Sequence, residues 1–335
     1  MTSPASSYDV VIVGTDVAPL LAGALLAKRG FRVLLLSQET HLPTYEAVEG
    51  RHFPRAPFRF GPTQSPIVKR VLSELALFQG FRRRASTTDP SFQVCMPGAR
   101  FDMAKETERL EREIDREFPE VRRPIEDLLR AATSHDHKLD RVFERDVVWP
   151  AQTFFERREH KRTAALQPFG KNGGAVDPLA ELPEDHPFRH VVQLPARFAD
   201  GMDPDHTSGL RTTRLFNAWR RSAVFEGGYP GLRQMLLESI DTHGGVVREP
   251  ERIDALRVRR GTASGVRIAA SGTEIGSDWV LFGAPLSSLL RLIPDRGPFE
   301  ELFERIGEPV VRYYRYTLNV LMRAGGVPVG MTRDL

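Results

Sequence analysis

The stretch from Tyr8 to Ser37 restricts the possible folds of this chain more than any other. Tyr8-Asp9-Val10-Val11-Ile12-Val13 is a short apolar run of strand composition, and it leads into Gly14. An apolar helical stretch follows from Pro19 to Ala27, closed by Lys28-Arg29-Gly30. Arg32-Val33-Leu34-Leu35-Leu36 then returns as a second buried strand. Strand, helix and strand in so short a span make the right-handed crossover that opens a doubly wound nucleotide-binding sheet, so the fold class expected is α/β.

The turn inside that unit departs from the pattern that binds a dinucleotide. Such turns read G-x-G-x-x-G, because the second glycine lets the backbone meet the pyrophosphate and the third lets helix and strand pack closely. Here the turn reads Gly14-Thr15-Asp16-Val17-Ala18-Pro19, with Asp16 and Pro19 in the second and third glycine positions. A helix N-terminus attracts anions, so a carboxylate at Asp16 would crowd and repel a pyrophosphate, or act as the protein's own anion. The acidic residue expected at the end of the second strand is replaced by Ser37, with Glu39 two residues late.

Four stretches, in order along the chain, resemble the phytoene desaturase and amine oxidase group of two-domain FAD-dependent oxidoreductases. The first is Asp9 to Gly14 continuing through Leu20-Leu21-Ala22-Gly23 to Gly30; the second is Phe58-Arg59-Phe60-Gly61-Pro62-Thr63 before a helix from Ile67 to Leu77. The third is Glu226-Gly227-Gly228-Tyr229-Pro230-Gly231-Leu232 with a helix to His243, and the fourth is Ser277 to Pro285, a returning strand. The resemblance implies a Rossmann-like FAD/NAD(P)-binding domain with a second α+β substrate domain. It places Gly14, Thr15, Asp16 and Ser37 at the dinucleotide, Arg51 in a loop near the flavin ring together with His52 and Arg55, Gly61 and Pro62 near the flavin, and the backbone of Ile253 at the adenine. Two departures follow from the same comparison. No late Gly-Asp segment follows Pro285, and the chain stops soon after a strand-like run, Tyr316 to Met322, as if truncated within its second domain. A more distant similarity is to the Rab GDP-dissociation inhibitors, which keep this fold without the flavin.

Composition bounds the remaining classes. A chain of 335 residues with 41% apolar content buries a substantial core. Its 47 basic against 44 acidic residues give only +3, too little to argue for nucleic acid. Cys95 is the single cysteine, which excludes an internal disulfide framework and a cysteine metal cluster, and a cytoplasmic location is the default. The first seven residues lack the basic and apolar regions of a signal peptide, and the longest apolar stretch, Val17 to Ala27, falls short of the ~18 residues that span a bilayer. Peripheral membrane contact stays open through Arg82-Arg83-Arg84 beside Phe78 and Phe81, and through Phe154-Phe155 before a basic run.

The expected organisation is a first part of the dinucleotide-binding domain over 1–80, a substrate or helical domain over 81–225, a return to the dinucleotide domain over 226–295, and the start of a second substrate-domain segment over 296–335. Phe92 to Asp102 reads as a hairpin turning at Pro97-Gly98, and 105–145 as charged helix broken at Pro119 and Pro124. His135-Asp136-His137 points to different helix sides, so no metal is expected there. Strands near Arg252–Arg259, Gly265–Ala270 and Trp279–Phe282, with turns at Gly261 and Gly272, suit an antiparallel ribbon on a parallel sheet, and 312–322 alternates as a half-buried strand.

No nucleophile elbow, zinc signature or phosphate-binding Gly-Lys-Ser loop is present, so any chemistry has to come from a bound cofactor, which the resemblance implies is FAD. Two readings result. One is an FAD-dependent oxidoreductase with an impaired flavin site acting on an apolar carotenoid, polyprenyl or lipid substrate; the other is a non-catalytic relative that binds a lipid or a protein partner.

Overall fold

A computed structural model describes residues 7–37, 44–46, 48–55, 58–59, 61, 65–145, 147–148, 151–165, 179–200, 209–293, 295, 297–307 and 316–331. In chain order the elements are β1 (Ser7–Val13), α1 (Val17–Lys28), β2 (Val33–Leu36), β3 (Thr44–Glu46), β4 (His52–Pro54), α2 (Pro66–Glu74), α3 (Phe78–Arg84), β5 (Ala85–Ser86), β6 (Gln93–Met96) and β7 (Ala99–Asp102). There follow α4 (Thr107–Glu117), α5 (Arg122–Phe143), α6 (Phe154–Ala165), α7 (Phe188–Asp200), α8 (Gly209–Arg220), β8 (Val224–Phe225) and α9 (Gly228–Thr242). The last are β9 (Val246–Arg248), β10 (Ile253–Arg259), β11 (Thr262–Ile268), β12 (Glu274–Phe282), α10 (Leu286–Leu292) and α11 (Glu300–Ile306).

The chain divides into two compact units. The first comprises Met1–Pro57, Ser73–Leu77 and Glu226–Tyr313; the second comprises Phe58–Leu72, Phe78–Phe225 and Tyr314–Leu335. The first is a six-stranded sheet in the order β10-β11-β12-β1-β2-β9. β1 pairs in parallel with β12 and β2, and β2 with β9. β10, β11 and β12 form the antiparallel ribbon expected from the sequence. Its first turn is two residues, Arg260 and Gly261, both at positive φ, the conformation whose twist matches a tight hairpin.

The four-residue apolar runs of β1 and β2 follow from burial on both faces of the sheet. On one face Val11, Val13, Leu34 and Leu36 join Ile253, Leu256, Val266, Ile268 and Ile275 in a single cluster. On the other, Ile12 and Leu35 meet α1 and α9 at Gly23, where an added methyl would lie 3.2 Å from Ile240, 3.4 Å from Ile12 and 3.5 Å from Leu35. The fold is therefore a Rossmann-like α/β arrangement, as the crossover predicts.

The second unit is helical around a small hairpin. β6 and β7 pair across Pro97-Gly98, with Gly98 at φ +78° as the turn demands. Phe101, Phe118 and Phe188 pack ring to ring with centroids 5.5–5.7 Å apart, and Leu110, Ile114, Ile125, Leu128 and Phe216 complete the core.

Three local expectations are corrected. Pro124 does not break the helix: it sits in the first turn of α5, where its missing N–H has no helical partner to lose, and only Pro119 interrupts, in a 3-10 turn over Pro119–Val121. The helix after Gly61 runs Pro66–Glu74 and stops short of Leu77. Residues 316–322 form no strand and, apart from the half-buried Asn319, are exposed, Tyr316 at 90% and Leu318 at 88%; alternation alone does not make a strand without an edge to pair with. The preceding residues, 308–315, lie outside those described.

Candidate functional site: the turn after the first strand

In an open α/β sheet, ligands gather beyond the carboxyl ends of the parallel strands, where the order of strands reverses about the first one. Here those ends are Gly14 after β1, Ser37 after β2, Arg248 as the last residue of β9 and Gly283 after β12. The Gly14 N–H donates to the Leu36 carbonyl at 2.9 Å, and the Gly283 N–H to the Val13 carbonyl at 2.8 Å. The three strand ends are thereby tied side by side.

Glycine is required at position 14 twice over. Its φ is +113°, and an added Cβ would stand 2.9 Å from the Gly283 carbonyl oxygen. At Gly283 an added Cβ would stand 2.1 Å from Pro19 Cγ. The close approach of helix to strand, which a glycine on the helix ordinarily permits, is thus kept with the roles exchanged: the ring of Pro19, buried on α1, fills space that Gly283 leaves open on the strand side.

Charge at the helix start is another matter. Asp16 is the N-cap residue of α1, with φ −65° and ψ 169°, and it is exposed. Its main-chain carbonyl accepts the first helical bond, from the Leu20 N–H at 3.1 Å, but its carboxylate makes no capping hydrogen bond. The carboxylate therefore leaves the first-turn amides to others while setting a negative charge beside them. Pro19 removes one of those amides altogether.

Thr15 is buried, and its Oγ1 has no hydrogen-bond partner. Its carbonyl accepts a hydrogen bond from the Tyr229 hydroxyl, so the start of α9 is fastened onto the turn. Gly227 and Gly228, at φ +74° and +61°, give the chain the left-handed entry that aims Tyr229 there.

Ser37 is buried rather than presented to a ligand. Its N–H donates to the Arg248 carbonyl at 3.1 Å and its own carbonyl accepts from the Glu251 N–H at 3.0 Å, so it continues the pairing of β2 with β9. Glu39 lies outside the described residues. Ile253 opens β10 with its side chain in the core, which leaves only its main chain to face a ligand. Arg51 is exposed, 3.8 Å from Glu49, and Arg55 stands over the Tyr45 ring at 5.5 Å. Gly61 is exposed and belongs to the second unit, and Pro62 lies outside the described residues.

Of the residues expected at a dinucleotide, Gly14, Thr15, Asp16 and Ser37 come together at the ends of β1 and β2. Two residues of the same place escaped the sequence reading of roles. Tyr229 and Gly283 both stand in stretches singled out for their resemblance, yet only the fold reveals that one bonds the turn and the other makes room for Pro19. Away from the turn, Arg32 donates through its main-chain N–H at 2.7 Å and through its guanidinium at 2.7 and 3.0 Å to Asp9. These bonds hold the Asp9 carboxyl below its ordinary range and raise the guanidinium.

Tested against FAD, this turn fits in backbone and not in charge. The positive φ of Gly14, the unpartnered Thr15 hydroxyl and the uncapped helix start suit a bound pyrophosphate, whereas the Asp16 carboxylate and the amide missing at Pro19 oppose it.

No protein-family model matches the chain, and no curated protein matches it. Solved structures do. An oxidoreductase from Methanosarcina mazei is similar at 13% identity and a TM-score of 0.52, covering 89% of this chain and 64% of that one. The PF1083 protein from Pyrococcus furiosus is similar at 15% identity and a TM-score of 0.58, covering 90% and 65%. A putrescine oxidase variant redesigned in cofactor binding overlays at 14% identity and a TM-score of 0.49, over 86% and 60%, too loosely to add an argument. The chain spans less than two thirds of the length of each of these. At such identities the likeness establishes the fold.

Proposed function

We propose that this chain is a flavoprotein of the oxidoreductase kind whose dinucleotide site is impaired, so that it holds FAD weakly and serves an apolar small-molecule or lipid substrate. One observation supports the reading: the ring of Pro19 on the helix fits against Gly283 at the end of β12, so helix and strand approach closely, while Asp16 sets at the helix start a carboxylate that makes no capping bond and would oppose a pyrophosphate. When bound, the flavin would supply the electron acceptor. In this reading Gly14 allows the close approach, the Thr15 hydroxyl offers an open partner, and Tyr229 holds the turn in place by its bond to the Thr15 carbonyl.

The test is an absorbance spectrum of the purified chain between about 300 and 550 nm, followed by titration with FAD. The expected result is little flavin on purification and saturable binding in the micromolar range or weaker. A tightly held stoichiometric flavin would overturn the impairment, and a chain that takes up no FAD at millimolar concentration would overturn the flavoprotein reading itself.

A second reading, a non-catalytic relative that binds a lipid or a protein partner, is favoured by the coincidence of Asp16 and Pro19 at one phosphate site. The two readings separate on the same titration, and bound lipid in an organic extract of the flavin-free protein would support the second.

A further inference from the structure

The second unit contains a cleft of about 1030 Å³ between α4, α5 and the end of α8, and its charge is lopsided. Lys105, Arg130, Lys138, Arg141, Arg220 and Arg221 line it, against two carboxylates, Glu111 and Glu126. Both carboxylates already have a cation that is not part of the lining: Arg122 lies 3.7 Å from Glu111 and 2.8 Å from Glu126. Arg130 is paired to Asp127. Asp89, the acid that attracts Lys105, is 3.4 Å from Arg109. Among the described residues no ion pair joins Lys105, Lys138, Arg141, Arg220 or Arg221 to a carboxylate.

The pair of arginines from the end of α8 is the least comfortable part of the lining. Arg220 and Arg221 are adjacent and half-buried. Burial, and next the neighbouring Arg221, push the Arg220 guanidinium below its ordinary range, and Asp136 only partly offsets this. Asp136 is shared among several groups: its Oδ2 accepts a hydrogen bond from the Asn217 amide, its Oδ1 makes no hydrogen bond and stands 3.7 Å from Arg214, and it attracts Arg221 as well. Two like charges kept partly out of water without a paired anion are costly unless a ligand supplies one.

We propose that this cleft binds a phosphate-bearing molecule, its phosphate held over Arg220 and Arg221 and its body against the half-buried Leu129 and the exposed Thr107. Guanidinium forks match the oxygens of a phosphate in pairs, and a dianion answers several converging cations better than a single carboxylate does. The volume exceeds that of a bare phosphate, which leaves room for the rest of a ligand beside it. The proposal is independent of how the turn after β1 treats FAD.

Isothermal titration of the full chain with pyrophosphate, and flotation with phosphatidylcholine vesicles with and without phosphatidic acid, distinguish a soluble phosphate ester from a lipid headgroup. Saturable pyrophosphate binding, weakened about tenfold or more by Arg220→Gln with Arg221→Gln and by raised salt, is the expected result. Because Arg220 and Arg221 are half-buried, Lys138→Glu with Arg141→Glu, on the exposed side of α5, provides a second variant that tests charge with little burial at stake. Flotation that requires phosphatidic acid and is lost in both variants, without pyrophosphate binding, supports the same site with a lipid headgroup as ligand. Binding that responds to Asp16→Gly and not to the cleft variants would overturn the proposal, as would no binding to either probe.

Discussion

Two places in this molecule invite comparison as anion sites, the turn after β1 and the cleft beside α5, and their geometry and charge are distributed in opposite ways. The turn has what a phosphate needs from the backbone, a left-handed glycine and an uncapped helix start, and then sets Asp16 beside it. The cleft has no phosphate-binding loop, yet collects five cations that make no ion pair among the described residues, its two carboxylates drawn off by Arg122. Backbone geometry alone therefore does not make an anion site; the charge set beside it decides what the chain can hold.

The comparison breaks most severely if the turn itself is destroyed. Gly283→Val would drive a side chain into the Pro19 ring and is expected to destabilise the chain by about 3 kcal/mol, read from urea unfolding. Pyrophosphate binding by the fraction that stays folded should be unchanged.

Restoring the usual glycine should also do harm. Pro19→Gly leaves two glycines facing each other, and the void and the added chain freedom are expected to cost ~1–2 kcal/mol. Gly283→Ala made in that background should recover part of the loss, although alone it is destabilising. A double-mutant cycle with no coupling between the two positions would show that the ring and the glycine do not share one space.

The charge half of the comparison sharpens with Asp16→Gly. Removing the carboxylate should tighten FAD by roughly tenfold, ~1.4 kcal/mol, in a flavin titration, with little effect on the melting temperature since Asp16 makes no capping bond. Unchanged affinity would place the weakness elsewhere than at this charge.

The smallest effect concerns pH. The Asp9 carboxyl is held below its ordinary value of 3.8 by hydrogen bonds from Arg32, so its stabilising contribution is complete above that value and is lost as pH falls through the lower folded one. Asp9→Asn should lower the melting temperature by no more than about 2 °C at pH 7, and the difference should vanish in strong acid. A difference that persists at the acid end would mean the pair is not what is being titrated.

The parts of this architecture that could be read from the sequence are those fixed by neighbours along the chain. Val10 to Val13 and Val33 to Leu36 announce strands buried on both faces because no residue in them tolerates water, and Pro97-Gly98 and Gly261 announce turns because few residues adopt their conformations. Tyr316 to Met322 misled because its alternation describes a strand only when another edge accepts it. The departures of the turn from the glycine pattern were legible at Asp16 and Pro19, but the place of Ser37 was not: in sequence it stands where a ribose acceptor belongs, and in the fold its main chain is bonded to Arg248 and Glu251. The cleft was invisible for a different reason. The charged run over 105–145 has the composition of any solvated helix, and only folding places Lys105 and Lys138 beside Arg220 from a distant helix and sets Arg122 to occupy the carboxylates.

The exchange between Pro19 and Gly283 bears on how such chains are found. A search that scores glycines along a line penalises this turn at its third position, although the missing glycine is present, one strand over and near the far end of the unit. Related sequences should covary at the pair, a bulky residue on the helix accompanying glycine on the strand and a glycine on the helix accompanying something larger. Read as a pair in space, the signature would recover relatives that the linear pattern discards.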